Sequence, residues 1–361
     1  MSKIIPFFMV LLLCTLPLQA MPDDAVLKKM IGRMLVVGFD DATIDAQSTI
    51  VKDLQNYELG GVILFDRFYN ERDRAKNISS PEQLKALNKQ LKHYAKKPLL
   101  ISIDQEGGKV ARLKARDGFV ETPSAFALSK KSLEQTKIAY TSMAQMLKEY
   151  GINCDFGPVV DLAVNPENRV IFRLERSYGK ESETVAQYAK VFIDALKDNG
   201  VLSVLKHFPG HGSSVGDSHL GFVDVTQTWS EKELEPYQKL IDANAVSMIM
   251  SAHVFNAKLD TTYPATLSYA INTKLLREKM HYTGVLISDD LQMEAISKYY
   301  TLKDTVTLAI NSGIDMLLFG NQLSQTKTDE IVETIVAQVK NGAIPLERIM
   351  ESNARIASLK F

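Results

Sequence analysis

The densest chemistry in this 361-residue chain is one run, Lys206-His207-Phe208-Pro209-Gly210-His211-Gly212-Ser213-Ser214-Val215-Gly216-Asp217-Ser218-His219. Three of the six histidines fall within it. Its glycines give the backbone the freedom of a tightly turning loop. Asp217 and His219 stand two apart, a spacing that lets the carboxylate accept the imidazole N–H, fix the tautomer and raise the histidine pKa. A histidine held this way can donate a proton and then take one back. Two other readings stay open. His207, His211, Asp217 and His219 are chemically adequate ligands for zinc or iron, although Pro209 and Gly210 keep His207 and His211 off a shared helical face. The third reading is a polar loop of structural histidines.

Gly284-Val285-Leu286-Ile287-Ser288-Asp289-Asp290-Leu291-Gln292-Met293 is the second signal. A carboxylate at the end of a buried strand is held rigidly, as a nucleophile or charge stabiliser must be. A helix cap is the competing role for Asp289, and the residues do not choose between Asp289 and Asp290. The third signal is Ser102-Ile103-Asp104-Gln105-Glu106-Gly107-Gly108-Lys109-Val110-Ala111-Arg112. Asp104 suits bonding to vicinal hydroxyls, and Arg112 suits a polar or anionic ligand group. Gly107-Gly108 fits neither the Walker nor the dinucleotide pattern, so a phosphate loop is excluded.

These groups need a scaffold that gathers them. Eight short apolar, β-branched-rich segments alternate with longer segments of helical period. They are Leu35–Phe39, Gly61–Phe65, Leu99–Asp104, Cys154–Asp161, Leu202–His207, Ser247–His253, Val285–Asp289 and Asp315–Phe319. Ser80-Pro81-Glu82-Gln83 and Ser230-Glu231-Lys232-Glu233 read as capping boxes, and Gly151 and Gly200 as C′ glycines. Buried strands separated by helices predict a parallel sheet covered on both faces, and eight units predict an α/β fold of the single (β/α)8 barrel type. A doubly wound open sheet is the alternative. Seven strands finish in polar or ionisable residues, among them Asp104, Asp161, Lys206-His207, His253 and Asp289-Asp290. In a barrel these ends share one mouth, where catalytic groups collect.

Composition sets the outer bounds. Hydrophobic residues at 45% and charged residues at 24% allow a sizeable core. Forty-two basic residues against 43 acidic leave a net charge of −1, which argues against nucleic acid as the main partner. Two cysteines exclude a disulfide scaffold and a four-cysteine zinc site. Lys3 followed by the apolar run Ile4–Leu13 and a small residue at Ala20 reads as a secretory signal over residues 1–20. The run is too short to span a bilayer, which needs about 20 apolar residues. Export to a periplasm is expected, and with the signal removed only Cys154 remains.

Taken together, IDQEGGKVAR, RSYG (Arg176–Gly179), KHFPGHG with DSH, and SDDLQM resemble glycoside hydrolase family 3, and within it the NagZ-type β-N-acetylglucosaminidase branch. The resemblance runs from about Met30 to Gly320. It implies a (β/α)8 barrel, retaining hydrolysis of terminal β-linked N-acetylglucosamine, and no metal or cofactor. It implies Asp289 as nucleophile and His219, oriented by Asp217, as acid/base. Asp104, Arg112, Arg176, Lys206 and His207 match positions that bind the sugar. Residues 21–361 would form one catalytic domain without a second domain after it, acting as a monomer on peptidoglycan fragments or chitooligosaccharides. Single-domain relatives of this kind are commonly cytoplasmic, whereas the leader implies export, so the aglycone stays open. A phosphorylase, a metal-dependent hydrolase and a catalytically silent sugar-binding barrel are the alternatives. Asn165–Glu175 departs from the shorter forms usual in the family, at the pocket's rim. With Trp229 the only tryptophan, a short exo-acting pocket is favoured over a long stacking cleft.

Overall fold

The computed structural model describes residues 21–361; the predicted leader lies outside the described residues. Eight parallel strands form one sheet: β1 (Leu35–Gly38), β2 (Gly61–Ile63), β3 (Leu100–Ile103), β4 (Cys154–Asp155), β5 (Leu202–Phe208), β6 (Met248–Ser251), β7 (Val285–Ser288) and β8 (Leu317–Phe319). β1 to β6 each pair with the next, and β8 pairs with β1. A bridge between Ile287 and Met316 joins β7 to β8 and closes the barrel. That closure excludes the open doubly wound sheet.

All eight predicted strands are present; most are shorter than expected, whereas β5 keeps Lys206-His207 and runs on to Phe208. Each is followed by a helix on the outside, such as Leu133–Glu149 after β3, Ser182–Asp198 after β4 and Glu235–Asp242 after β5. Gly151 and Gly200 take the left-handed conformation at helix ends, with φ of 80° and 75°. Ser80 caps the Gln83 N–H as expected, but the Gln83 side chain reaches the Ser79 N–H rather than that of Ser80. The predicted box at Ser230 does not form, and one 3-10 turn, Glu231–Leu234, takes its place. The reason is that Glu233 is turned inward, onto the Gly212 N–H at 3.0 Å, and cannot reach back to Ser230.

Alternation along each strand sorts its residues between two cores. Val36, Leu100, Val204, Met250, Ile287 and Leu318 belong to the cluster inside the barrel. Leu35, Ile101, Leu205, Ile249, Leu286 and Leu317 pack against the helices. Following the inward set upward gives Leu100, Ser102, Asp104 on β3; Leu202, Val204, Lys206 on β5; and Val285, Ile287, Asp289 on β7. The third inward position of these strands is therefore ionisable and crowns two layers that are apolar except for Ser102, whose hydroxyl donates to the Val62 carbonyl at 2.7 Å. Each fully buried aliphatic side chain contributes roughly 1.5–3 kcal/mol. A few of them offset the several kcal/mol needed to desolvate an ion.

The seam between β7 and β8 also carries charge. Asp315 is fully buried; Oδ2 accepts from Arg277 at 2.6 Å and from the Leu286 N–H at 3.0 Å, and Oδ1 accepts from Arg355 at 3.0 Å. Among the described residues no helix is long and apolar enough to cross a membrane. Replacing Asp315 by Ala strands the Arg277 guanidinium inside the seam. Urea unfolding should show a loss of about 3–5 kcal/mol, with unchanged turnover per folded molecule; a loss below about 1 kcal/mol would mean that the seam does not depend on this ion cluster.

Candidate active site

At the top of the barrel Lys206 Nζ lies 2.7 Å from Asp104 Oδ1 and 2.7 Å from Glu106 Oε1. Arg112 donates to Asp104 Oδ2 at 3.2 Å. Arg176 grips Glu106 with two parallel bonds, Nε to Oε2 and Nη2 to Oε1, both 2.7 Å. Burial pushes the Asp104 and Glu106 carboxyls up, but Lys206, Arg112 and Arg176 outweigh it and hold both well below the ordinary range. Burial likewise opposes the Lys206 ammonium, and the two carboxylates outweigh it. The group is thus an ionised network at neutral pH, presenting charge-assisted donors and acceptors to a polar ligand. Behind it, burial pushes Asp155 up to about 8. Its Oδ1 accepts the Gln105 N–H at 2.9 Å, and a neutral acid there spares the network a third negative charge.

The histidine loop leaves β5 through two successive clamps. Arg176 Nη2 donates to His207 Nε2 at 3.2 Å, so the His207 proton sits on Nδ1, which donates to Asp161 Oδ2 at 2.7 Å. Asp161 Oδ1 also accepts the His211 N–H at 2.8 Å. On the next turn Asn168 Nδ2 donates to the His211 carbonyl at 2.8 Å, and Glu233 accepts the Gly212 N–H. Gly212 is required here, because a Cβ would lie 1.8 Å from the Leu162 carbonyl oxygen. Beyond these clamps the loop turns outward and carries the predicted pair. Asp217 Oδ1 accepts both the His219 backbone N–H at 2.9 Å and its Nδ1–H at 2.8 Å. A carboxylate can only accept, so Nε2 is left as the free ring nitrogen. The Ser218 carbonyl accepts the Ala295 N–H at 3.3 Å, tying the loop to the segment that follows β7. His219 remains 49% exposed at its side chain. Burial lowers its basicity, but the Asp217 hydrogen bond and the charges of Asp289 and Asp217 prevail and raise its pKa.

The strand end of β7 separates the two aspartates. Asp290 Oδ1 accepts the Gly320 and Gln292 N–H groups, both at 3.1 Å, and burial pushes its carboxyl up to about 6. Its carbonyl accepts His253 Nε2–H at 2.9 Å. Asp290 is thus a turn-former, and the helix cap weighed for Asp289 does not form, since Met293 stands at the N-cap of the next helix, Glu294–Ser297. Asp289 continues the inward face, and its Oδ1 accepts the adjacent Asp290 N–H at 2.8 Å. Burial pushes the Asp289 carboxyl up, yet the imidazoles of His253, His207 and His219 and that N–H hold it below the ordinary range. It is an anion with an aimed carboxylate.

The alternative metal centre finds no convergence. Both His207 nitrogens are engaged by Asp161 and Arg176, His211 Nδ1 faces Ser214 Oγ at 2.7 Å, and His219 is turned to Asp217. Among the described residues no three His, Cys, Asp or Glu side chains are placed to hold a metal ion.

A barrel whose third inward layer carries Asp104, Lys206 and Asp289, with a His–Asp pair folded across it, can now be set beside known proteins. Residues 26–359 match the glycosyl hydrolase family 3 N terminal domain. The chain belongs to glycosyl hydrolase family 3. It is 36% identical over 293 residues to a β-hexosaminidase of Tolumonas auensis, covering 80% of this chain and 82% of that protein. It is 33% identical over 329 residues to β-hexosaminidase A of Pseudoalteromonas piscicida, covering 85% of this chain but only 54% of that longer protein. The solved structure of a family 3 β-N-acetylglucosaminidase from Paenibacillus sp. superposes with a TM-score of 0.83 at 32% identity, over 92% of this chain and 61% of that one.

Within this family 3 barrel, the residues singled out from sequence do come together at one mouth, in two groups. Asp104, Arg112, Arg176 and Lys206, with His207 hydrogen-bonded to Arg176, form one side, and Asp217, His219 and Asp289 the other. Arg176 is drawn mostly into the framework, its donors taken by Glu106, His207 and the Val170 carbonyl. Sequence reasoning missed the partners of these groups: Glu106, Asn168, Glu233, and the roles of Asp161 and His253. Glu106 was visible as the second acid of DQEGG, and Asp161 as a strand end; nothing local marked Asn168 or Glu233. Trp229, weighed as a stacking residue, is buried and donates Nε1–H to the Pro209 carbonyl at 3.0 Å.

Glu233 makes this framework pH-sensitive. Burial pushes its carboxyl up to about 7, from an ordinary 4.5. The folded state therefore binds the proton more tightly than the unfolded one, and stability present below about pH 4.5 is lost as pH rises through about 7. Glu233→Gln should flatten unfolding free energy against pH across that window, where the parent should lose on the order of 2–3 kcal/mol. Parallel curves for the two proteins would show that Glu233 ionises freely.

Proposed function

We propose that this chain, a glycoside hydrolase of the β-N-acetylhexosaminidase type, is an exo-acting retaining enzyme that releases terminal β-linked N-acetylglucosamine. The observation that carries the reading is the pairing of an aimed, ionised Asp289 with a histidine whose Nδ1 is locked by Asp217 and whose Nε2 is free. Asp289 attacks the anomeric carbon through an oxocarbenium-like transition state and forms a glycosyl-enzyme. His219 protonates the departing oxygen, then takes the proton of the incoming water. Asp217 stabilises the imidazolium and keeps the ring oriented. Asp104, Lys206 and Arg112 hold the sugar hydroxyls, which converts binding into positioning. The leader over residues 1–20 would deliver the catalytic domain, 21–361, to the periplasm as a monomer, which suits glycan fragments of peptidoglycan or chitin as substrate.

Hydrolysis of 4-nitrophenyl N-acetyl-β-glucosaminide tests the reading. Turnover should survive EDTA and fall by at least about 10³-fold in Asp289→Ala, since the nucleophile is lost with nothing to replace it. Loss on EDTA treatment would bring back a metal-dependent reaction. Equal turnover in the variant would remove Asp289 from the chemistry.

The acid is tested separately. His219→Ala should cost about 10²–10⁴-fold on an alkyl glycoside and far less on an aryl glycoside with a good leaving group. The basic limb of kcat/KM should lie above the ordinary histidine value of 6.5, and Asp217→Asn should move it toward acid, because the anion that favours the imidazolium is gone. An unmoved limb would mean that another group is the acid.

A further inference from the structure

A patch of exposed aromatic surface begins three residues beyond His219. Phe222 is 49% exposed and Tyr299 60%, and Leu220, two residues before Phe222, is 66% exposed. Phe222 packs its ring against Phe255 at 5.3 Å between centroids and meets Tyr299 edge-on at 6.0 Å. Between them opens a cavity of about 250 Å³ lined by Phe222, Pro264, Ala295, Tyr299 and Tyr300. These residues come from the segments that follow β5, β6 and β7, with Ala295 in the short helix Glu294–Ser297, so the cavity lies at the mouth of the barrel. Among the described residues no charged side chain lines it. Leaving this much aromatic surface in water is unfavourable, and such patches mark binding sites.

We propose that this aromatic cavity is the subsite for the leaving sugar ring, a neutral pyranose joined through its hydroxyl to the N-acetylglucosamine. The inference rests on the proposed glycosidase activity and assigns the part of the substrate that activity leaves open. The ionised network on β3, β4 and β5 takes the ring that reacts. The leaving oxygen has to meet His219 Nε2, and Ser218 is bonded to Ala295, a wall of the cavity. The leaving group therefore departs onto Phe222 and Tyr299. The face of a β-linked pyranose is a set of axial C–H bonds, apolar enough to lie on an aromatic ring, while the phenols at the rim can meet its hydroxyls. An uncharged lining suits a sugar ring better than an acidic peptide.

The test compares N,N′-diacetylchitobiose with methyl N-acetyl-β-glucosaminide, in the parent and in Phe222→Ala, Tyr299→Ala and the double variant. Both substrates need His219 to protonate a poor leaving group, but only chitobiose places a second ring in the cavity. The expected result is a fall of about ten-fold or more in kcat/KM for chitobiose in the double variant, with the methyl glycoside held within about two-fold. Tyr299→Ala, at a residue outside the histidine loop in sequence, should show part of the same selective loss. Parallel losses on both substrates would overturn the subsite and make the patch a support for the loop. No loss on either would overturn it as well. A parent that hydrolyses neither glycoside would instead bring down the glycosidase reading on which the subsite stands.

Discussion

Everything at the mouth of this barrel is referred to one buried ammonium. Lys206 Nζ stands between Asp104 and Glu106 at 2.7 Å from each, on its own strand above the apolar Leu202 and Val204. An isolated charge there would be costly, and removing one partner of such a pair strands the other at about 3–5 kcal/mol. The network avoids this by closing on itself: Glu106 passes to Arg176, and Arg176 to His207 and on to Asp161. That chain of bonds fixes the His207 tautomer and anchors the start of the loop that carries Asp217 and His219. In the proposed reaction, the groups that would hold the sugar and the one that would move the proton are thus mechanically continuous.

The two halves of the site differ in rigidity for a physical reason. Asp289 extends a strand whose neighbours are paired on both sides, and its carboxylate direction follows from alternation. His219 hangs from an exposed turn with two local anchors, the Asp217 carboxylate and the Ser218–Ala295 backbone bond. A nucleophile must be aimed, whereas a proton donor has to follow the oxygen it serves and let a water replace it. The use of histidine also limits negative charge. Asp289 and Asp217 are already anions, and a carboxylic acid in place of His219 would add a third when it ionises, opposing that ionisation.

Much of this was legible in the sequence, because the fold rests on signals with short range. The eight apolar segments, the C′ glycines and the DSH spacing each follow from local geometry, and each is found where it was expected. The choice between Asp289 and Asp290 was also within reach: Val285, Ile287 and Asp289 share a strand face, and Asp290 does not. That rule of alternation was left unused at the sequence level. What could not be read there is long-range. Glu106 meets Lys206 and Arg176 only because β3, β4 and β5 are neighbours, and Glu233 meets Gly212 only because the loop doubles back over the helix that follows it. The failed cap at Ser230 is the same fact in local form, since its capping residue was required elsewhere.

The central claim is that Asp289 forms a bond to the sugar. Retention of configuration would not settle it, because the 2-acetamido group can itself serve as the internal nucleophile in some glycosidases. The decisive measurement is peptide mass spectrometry of the full chain after incubation with the slow substrate 2-acetamido-2-deoxy-5-fluoro-β-glucosyl fluoride. The account requires a 5-fluoro-N-acetylglucosaminyl adduct on the peptide carrying Ser288-Asp289-Asp290, with fragmentation placing it on Asp289. Release of fluoride with no adduct, or an adduct on any other residue, would contradict it.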